Sequence, residues 1–581
     1  MWTLLKRLWF HLSVRRRRQF MLLLLPMLLA SFAETLSIGA VLPFLGLLTA
    51  PEHIFALPVA QPIIHLFELT KPEQLLLPLT IIFGALILVA GALRLLLLWM
   101  STKLCFAAGT DLSISIYNRT LYQSYAVHCS RNSSQVIAGI SGKANGAIYN
   151  VIVPSLTLIT ASVMFVAILA TLLMVEPIIA LIAFGGFGLI YMVIVRLTSK
   201  QLQMDSKCVA EESVQVIKSL QEGLGGIRDV LIDGSQSTYC QIYRNADISL
   251  RRAQGNSVFV SGSPRFGMEA LGMVLIVALA YWLAQQPDGI TTAIPILGAL
   301  ALGAQRLLPV MQQAYGSWIA MSTARVSLEA TLELLDQPLP ENQNYKAPIS
   351  FDRTIRVKQL GFRYGEQMPY VFKNINLTIT KGSRVGFIGT TGSGKSTLLD
   401  IVMGLLQPVE GALEIDDQPV TLANNRAWQA HIAHVPQAIF LADCSIEENI
   451  AFGVSKEKIN YDRVRQVAQQ AQIAASIEGW AAGYQTVVGE RGIRLSGGQR
   501  QRIGIARALY KQANVIIFDE ATSALDNETE QAVMQAIESL SKDLTLLIIA
   551  HRLSTLKNCT QIVELGGGSV KRIGAYDDLF G

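Results

Sequence analysis

The chain has 581 residues, of which 51% are hydrophobic and 16% charged, and its formal net charge is +5. This length predicts more than one domain, and a mean hydropathy of +0.38 is high for a soluble protein. The mild positive charge gives no signal for nucleic-acid binding. The six cysteines are scattered without a C-x-x-C pair, which favours free thiols over a disulfide framework.

Long apolar segments fill the N-terminal part, and each is roughly twenty residues or longer, enough for a helix to cross a bilayer. Arg15 to Arg18 precede the first segment and place the N-terminus in the cytoplasm by the positive-inside rule. A cleaved signal peptide ending near Ala33 is the alternative, but apolar sequence continues to Leu48. The six predicted spans are 20–48, 74–104, 148–174, 177–198, 257–285 and 290–318.

The joins between spans differ in length. Those over 105–147 and 199–256 are long and polar, whereas the outer joins near 176 and 285–289 are very short. Each long join is predicted to carry a short coupling helix, and the candidates lie near 133–143 and 223–233. Six crossings return the chain to the cytoplasm, where a soluble domain of ordinary α/β composition follows.

Four ionisable residues lie inside the spans, where burial of a charge is costly and marks a functional site: Glu34, Arg94, Arg265 and Arg306. Counted from the outer ends of their spans, the three arginines lie about 24–30 Å below the outer surface at ~1.5 Å per residue. Arginines at one depth could form a basic belt that binds phosphate through paired hydrogen bonds. The alternative is that each snorkels separately towards the inner headgroups.

A phosphate-binding loop with the pattern G-x-x-x-x-G-K-S begins at Gly389. In such a loop the backbone N–H groups face the phosphates, and the next helix adds its positive dipole end. Lys395 should reach the outer phosphates, and the Ser396 hydroxyl should ligate Mg²⁺. The predicted nucleotide-binding residues here are Gly389, Thr390, Thr391, Gly392, Ser393, Gly394, Lys395, Ser396 and Thr397.

Two further motifs follow about a hundred residues later. Leu495-Ser-Gly-Gly-Gln499 precedes a predicted helix. Val515-Ile-Ile-Phe-Asp519 is an apolar run that ends in an acid, as a buried parallel strand does. Asp519 is therefore placed to bind Mg²⁺, and Glu520 comes directly after it.

With these motifs in this order, the C-terminal third resembles the ATP-binding-cassette family. The resemblance implies that Ser496, Gly497, Gly498 and Gln499 cap an ATP held by a second copy, so the chain acts as a homodimer. It also implies a general base at Glu520, a Mg²⁺ and water sensor at Gln437, a contact to the terminal phosphate from His551, a dimer-crossing loop with Asp526, and adenine stacking on Tyr364. Ser396, Gln437 and Asp519 would hold the Mg²⁺.

The membrane half looks like the bacterial lipid-linked oligosaccharide flippases of the PglK type. The matching segments lie around Glu34, at Ala92-Leu-Arg94, at Pro264–Glu269 and at Arg306–Pro309. This resemblance implies a substrate made of an oligosaccharide on polyprenyl pyrophosphate, moved across the bacterial inner membrane, with the three arginines at the pyrophosphate. An external helix near 52–70 is also implied, although Pro58 and Pro62 interrupt it.

The predicted fold class is an α-helical membrane domain of exporter type followed by an α/β P-loop nucleotide-binding domain. The predicted order is a membrane domain over 1–320, a linker over 321–350 and the nucleotide-binding domain over 351–581. A multidrug, peptide or lipid A-type exporter fits the ATPase motifs equally well. A non-transport ATPase of the same family would lack the spans. A heterodimer stays open, although Glu520 and the complete L-S-G-G-Q motif do not demand one.

Overall fold

The computed structural model describes residues 1–41, 44, 47, 52, 55, 70–175, 177–284, 289–339, 349–520, 527–538, 543–549 and 556–580. The chain forms two compact units. One comprises Met1–Gln123 and Arg131–Leu339, and the other comprises Ser124–Ser130 and Pro340–Gly581.

Helices build the first unit. In chain order, including the short helix of Ser124–Ser130 that belongs to the other unit, they are α1 Trp2–His11, α2 Val14–Leu22, α3 Leu24–Gly39, α4 Leu76–Leu121, α5 Tyr125–Ser130, α6 Ser133–Ile137, α7 Ala144–Ala147, α8 Val153–Val175, α9 Pro177–Gly225, α10 Ile227–Ile232, α11 Gln236–Ala284, α12 Gly289–Thr323 and α13 Arg325–Leu335. Two π-helical stretches, Ala138–Lys143 and Ile148–Ile152, lie on either side of α7.

Four of these helices are much longer than a membrane is thick. Helices α4, α9, α11 and α12 have 46, 49, 49 and 35 residues. At 1.5 Å per residue they extend about 50–75 Å, against a hydrocarbon core of about 30 Å. Each therefore continues as a polar helix beyond its apolar part.

Helices cover the described part of every predicted span. Within the described residues, three helical stretches are long and apolar enough to cross a membrane: Val14–Ser37, Leu76–Leu121 and Asn145–Thr171. The predicted external helix near 52–70 lies outside the described residues, except for residues 52, 55 and 70.

Short helices interrupt both long joins. The first join contains α5, which belongs to the second unit, and then α6 with a π-helical stretch over the predicted coupling position 133–143. The second join contains α10 inside the predicted position 223–233. The role of these helices in coupling stays a prediction.

The start of the predicted linker is helical and tied to the N-terminal helix. Leu8 of α1, Ile116 of α4 and Leu332 of α13 share one buried apolar cluster. Asp336 follows α13, and its carboxylate accepts hydrogen bonds from Arg7 and from Nε2 of His11, the latter at 2.7 Å. Although partial burial opposes ionisation, these two bonds lower the pKa of Asp336.

The second unit contains two sheets. Its strands are β1 Thr354–Phe362, β2 Phe372–Thr380, β3 Arg384–Ile388, β4 Glu410–Ile415, β5 Gln418–Pro419, β6 Ile432–Val435, β7 Val515–Asp519, β8 Thr545–Ile549, β9 Gln561–Gly566 and β10 Ser569–Gly574. One sheet is antiparallel in the order β2-β1-β4-β5. The other has the order β10-β9-β3-β8-β7-β6, with β10 antiparallel and the remaining strands parallel.

Helices cover the six-stranded sheet because its central strands are apolar on both faces. Ile516 and Phe518 of β7 pack into one apolar cluster, while Val515 and Ile517 of the same strand pack into another with Trp428. The helices of this unit are α14 Lys395–Val402, α15 Asn425–Ala430, α16 Ile446–Ile450, α17 Tyr461–Gln470, α18 Ala474–Glu478, α19 Gly497–Tyr510, α20 Asn527–Glu538 and α21 Tyr576–Phe580.

Candidate functional site

The glycine-rich motif forms the turn between β3 and α14, at the carboxyl edge of the parallel strands. Gly389, Gly392 and Gly394 have φ angles of +143°, +82° and +94°. A Cβ atom on Gly389 would lie 2.2 Å from the carbonyl oxygen of Leu565, so the turn requires glycine there. The loop leads directly into the N-terminus of α14, which is an anion-binding arrangement.

Lys395 holds its positive charge inside this loop. The side chain is almost fully buried, and its ammonium group donates hydrogen bonds to the carbonyl oxygens of Gly389 at 2.8 Å and Thr390 at 3.1 Å. A buried ammonium surrounded by backbone oxygens is well placed to meet a phosphate that enters the loop.

Two carboxyl groups beside the loop, those of Asp519 and Asp400, have raised pKa values. Burial raises the pKa of Asp519, and the charge of Glu520 adds to this, while a hydrogen bond with Ser396 opposes it. Burial also raises the pKa of Asp400 to about 6, with a contribution from Asp519. Neighbouring carboxylates in a low-dielectric site favour a cation between them.

The oxygen donors here fit Mg²⁺. Ser396 and Asp519 are hydrogen-bonded to each other. The Gln437 side chain is hydrogen-bonded to Glu520, the residue next to Asp519. Hydroxyl, carboxylate and amide oxygens are the hard ligands that Mg²⁺ prefers, together with phosphate oxygens of a nucleotide. The residues predicted as metal ligands are therefore brought together.

Glu520 has an unusual backbone conformation. Its φ angle is +50°, in the left-handed region that costs a residue with a side chain about 1 kcal/mol or more. Its Oε2 accepts a hydrogen bond of 2.8 Å from Nε2 of Gln437, which follows β6. The predicted base and the predicted sensor are thus in direct contact.

Tyr364 lies near the first turn of α14. Its hydroxyl is 3.0 Å from the Thr397 hydroxyl, and its ring packs edge-on against Phe362 with 5.1 Å between centroids. The side chain is 55% exposed. An aromatic ring that is held in place and more than half exposed can stack on a base.

Ser496 and Gln499 of the L-S-G-G-Q motif form a capping box at the N-terminus of α19. The Ser496 hydroxyl accepts from the backbone N–H of Gln499 at 3.2 Å, and the Gln499 side-chain oxygen accepts from the N–H of Ser496 at 2.9 Å. Leu495 is buried and anchors the turn. The first-turn N–H groups, which include those of Gly497 and Gly498, have no partner within the helix and can serve an anion.

Sequence reasoning missed two residues of this region. Asp400 lies one helical turn after Ser396, and that i,i+4 spacing is the signal that could have found it. Arg507 on α19 donates to the carbonyl oxygens of Asn449 and Phe440, each at 2.9 Å, and its guanidinium lies 4.5 Å from the Phe452 ring centroid. No motif marks Arg507 in the sequence.

Two predicted residues, His551 and Asp526, lie outside the described residues.

Three of the four predicted substrate residues, Glu34, Arg94 and Arg265, form acid–base pairs. Nη1 of Arg94 on α4 lies 3.6 Å from Oε2 of Glu34 on α3, and the Glu34 side chain is only 2% exposed against 43% for Arg94. Nε of Arg265 lies 2.7 Å from Oε1 of Glu269 on the same helix, α11. Arg306 lies on α12, and its side chain is outside the described set. Glu269 was not among the predicted site residues.

A cavity of about 780 Å³ lies in the first unit among α9, α11 and α12, and it is also lined by residues of the 142–150 segment and of α13. Among the described residues its lining is mainly apolar, with some hydroxyl and amide groups, such as Ser213, Ser257 and Gln254, and no charged side chain. By contrast, Arg94 and Arg265 each lie beside a carboxylate.

The sequence profile of the ABC transporter family matches residues 372–523. The ATP-dependent lipid A-core flippase of Thiobacillus denitrificans is 30% identical over 488 residues, which cover 83% of this chain and 82% of that protein. The protein of the same name from Alkalilimnicola ehrlichii is 33% identical over 399 residues, which cover 68% and 67%.

A solved structure of a bacterial Atm1-family ABC exporter with ATP bound has the same fold. The TM-score is 0.80 at 22% identity, over 97% of this chain and 96% of that one. This likeness confirms the predicted fold class, a helical exporter-type membrane domain followed by an α/β P-loop domain.

Proposed function

Because this chain belongs to the ABC transporter family as an exporter that couples ATP hydrolysis to transport, we propose that its cargo is an anionic amphipathic lipid. The observation that carries this proposal is the Arg94 guanidinium, which is half exposed inside a membrane span and rests against the buried Glu34. Ionisable residues inside a span mark substrate pathways, and the exposed part of a guanidinium favours an anionic ligand. The protein would act as a lipid flippase.

Two candidate lipids have separate support. An oligosaccharide on polyprenyl pyrophosphate suits the arginines, which can bind the pyrophosphate, and the mostly apolar cavity offers some hydroxyl and amide groups to the sugars. A lipid of the lipid A-core type is favoured by the names of the two relatives above. Both are amphipathic and anionic. Because the chain is an exporter, the proposed direction of transport is from the inner to the outer side of a bacterial inner membrane.

We assign the nucleotide site as follows. The loop from Gly389 to Thr397 holds the ATP phosphates, Tyr364 stacks on adenine, and Ser496 with its glycines caps the ATP of a second copy. Mg²⁺ held by Ser396, Asp519 and Gln437 would neutralise phosphate charge. Glu520, oriented by the Gln437 hydrogen bond, accepts a proton from the attacking water. His551 and Asp526 complete the predicted set.

Coupling to the membrane helices is assigned to the short helices of the long joins. Helix α10 presents three exposed apolar side chains, Ile227, Leu231 and Ile232. Exposed apolar residues on a six-residue helix between two long helices are a docking surface for a partner. We assign that partner as an ATPase domain in the homodimer, with the N-terminus and both ATPase domains in the cytoplasm.

Reconstitution tests the cargo. The full-length protein is placed in liposomes, and flipping of a polyprenyl-pyrophosphate glycan and of a lipid A-type lipid is measured with ATP. We expect the triple substitution of Arg94, Arg265 and Arg306 by glutamine to abolish transport of the true cargo. An exposed arginine outside the spans, Arg251→Gln, is the control. Transport that is unchanged in the triple variant would contradict the proposal.

A further inference from the structure

The segment 437–442, here called the Gln437 loop, follows β6 and begins with the residue that contacts Glu520. We propose that Arg507 is a positioning residue that holds this loop on α19, so that Gln437 in one ATP site and the L-S-G-G-Q cap of the other site move together. This inference rests on the proposed nucleotide site, in which Ser496 and its glycines cap an ATP held by a second copy.

The Arg507 guanidinium joins α19 to the Gln437 loop and to α16. Its Nη1 donates to the carbonyl oxygen of Phe440 at 2.9 Å, and its Nε donates to the carbonyl oxygen of Asn449 at 2.9 Å. Its Nη2 donates to Oδ1 of Asn449 at 3.2 Å. Among the described residues all of its acceptors are uncharged oxygens. These three bonds use the planar fork of a guanidinium, which a lysine cannot reproduce.

Asn449 of α16 holds the end of the same loop. Its side chain is fully buried. Its Oδ1 accepts from the backbone N–H of Ala442 at 3.0 Å, and its Nδ2 donates to the carbonyl oxygen of Ala442 at 2.9 Å. Both backbone polar groups of Ala442 are therefore bound to an amide that Arg507 also contacts. The end of the Gln437 loop cannot leave α16 and α19 without breaking these bonds.

Two glycines let the loop lie directly on α19 and on the turn before it. A Cβ atom on Gly504 of α19 would lie 2.5 Å from Cδ1 of Ile439, and one on Gly492 would lie 2.7 Å from Cδ1 of Leu441. Both distances are well inside the ~3.5–4 Å of a carbon–carbon contact. A side chain at either position would push the loop away. Leu441 is fully buried, so the loop is packed in place as well as hydrogen-bonded.

The turn before α19 connects this packing to the cap. Nη1 of Arg500 donates to the carbonyl oxygens of Gly492 at 3.3 Å and Leu495 at 3.0 Å. Leu495 begins the L-S-G-G-Q motif, and Ser496 starts the capping box of α19. A continuous set of contacts therefore runs from the Gln437 loop to the residues that are proposed to cap the ATP of a second copy.

This set of contacts connects the two ATP sites of a homodimer. Gln437 lies two residues before Ile439, the first loop residue packed on α19, and its amide contacts Glu520 in the site of its own copy. The N-terminus of α19 serves the site of the other copy. Because the loop and the helix are joined, a shift of Gln437 when ATP and Mg²⁺ enter one site also shifts the cap of the other. Arg507 is the residue that bonds the two parts together.

Mixed dimers of the full-length protein, purified with two affinity tags and placed in nanodiscs, test this connection. One copy carries Glu520→Gln and cannot turn over its own ATP. The measured ATPase activity then comes from the other copy, whose ATP the first copy caps. We expect Gly504→Ala in the capping copy to lower this activity at least about fivefold, because small misplacements at a reacting group are costly. Arg507→Lys in the same copy should lower it as well.

A second substitution separates positioning from damage to the helix. Ile439→Ala removes the side-chain atoms that the new methyl group of Gly504→Ala would meet, so the double variant should recover most of the activity. Gly255→Ala on α11 is the matched control, because a Cβ atom there meets nothing within 4 Å. Its activity should equal that of the unmodified mixed dimer.

The outcomes distinguish this inference from the proposed cap. Unchanged activity with Gly504→Ala in the capping copy overturns the inference, and so does a loss that Ile439→Ala fails to recover. Ser496→Ala in the capping copy tests the cap itself. If Ser496→Ala lowers the activity, the proposed cap stands whatever Gly504→Ala does. If Ser496→Ala has no effect, the proposed cap fails and this inference fails with it.

Discussion

Glu520 has a left-handed backbone conformation, with φ of +50°, and a direct hydrogen bond to Gln437. A strained residue persists only where its surroundings hold it, and here a buried strand on one side and the Gln437 amide on the other do so. The carboxylate is therefore fixed in direction before any nucleotide binds. A fixed orientation is what a base needs in order to act on one water molecule.

Glu520→Gln removes the charge and keeps the contact. The new side-chain oxygen can still accept from Gln437, so the loop should keep its shape. We expect phosphate release to fall at least about 100-fold, the usual contribution of a general base, with ATP binding retained. Turnover and retained nucleotide are measured on the same preparation, with the exposed Glu457→Gln as the control. Near-normal turnover would remove Glu520 from the proposed role.

Asp400 predicts a pH-dependent stability. Its pKa, raised from 3.8 to about 6 by burial, means that the folded state binds this proton more tightly than the unfolded state does. The ionised carboxylate therefore destabilises the nucleotide-free protein. The penalty is complete above about pH 6, shrinks as the pH falls from about 6 towards 3.8, and disappears below that range. Asp400→Asn should raise the midpoint of thermal unfolding by about 2–4 °C at pH 8 and by about half as much at pH 5.

Thermal unfolding of the full-length protein in detergent measures this difference. With ATP and Mg²⁺ the advantage of the asparagine should shrink, because a cation near Asp519 would compensate the Asp400 charge. An equal shift at both pH values would mean that the effect is steric and not electrostatic.

At the scale of secondary structure, the capping of α19 explains part of the L-S-G-G-Q motif. Ser496 and Gln499 are spaced to form a capping box, so two of the five L-S-G-G-Q residues have a local structural role in addition to the predicted contact with ATP. Gln499→Glu keeps the capping box and adds a favourable charge at the helix N-terminus, so stability should be equal to that of the wild type or higher by up to about 1 kcal/mol. The same charge would repel the phosphates of ATP from a second copy, and ATPase activity should fall about tenfold.

Gln499→Ala is the matched comparison for this element. It removes the Gln499 half of the capping box, while the Ser496 hydroxyl can still accept from the backbone N–H of residue 499. The loss of about 0.5–1 kcal/mol should lower the unfolding midpoint together with the activity. Unfolding and ATPase assays on both variants separate capping from nucleotide contact. Full activity in Gln499→Glu would leave the residue with a capping role alone.

Local elements were predictable where a short motif sets the geometry. The turn at Gly389, the acid at the end of β7 and the start of α19 depend on hydrogen bonds within a few residues, and the spacing of residue types records them. Arg507 and the Arg94–Glu34 pair were different. Their partners lie 58 and 60 residues away in sequence, so helix packing brings them together and no local pattern encodes it. For the same reason the grouping of α5 with the second unit was not foreseen.

At the scale of the whole molecule, we predict that a polar substitution on the exposed apolar face of α10 uncouples ATP hydrolysis from transport. Leu231→Asp should weaken docking by about 2 kcal/mol, or more than tenfold, because a 59% exposed leucine that becomes buried contributes about that much. We expect lipid stimulation of the ATPase and flipping to be lost in liposomes. Leu231→Met keeps an apolar side chain and should retain both. Normal flipping by Leu231→Asp would exclude α10 from coupling.

The hydrogen bond between His11 and Asp336 restricts how the chain is threaded through the bilayer. Two atoms 2.7 Å apart must lie on one side of a membrane, so the chain between residues 11 and 336 crosses it an even number of times. Three clear spans among the described residues is an odd number, so at least one further helix between them must cross. Six spans satisfy this parity, and any arrangement that lays just one of the six along the membrane surface is ruled out.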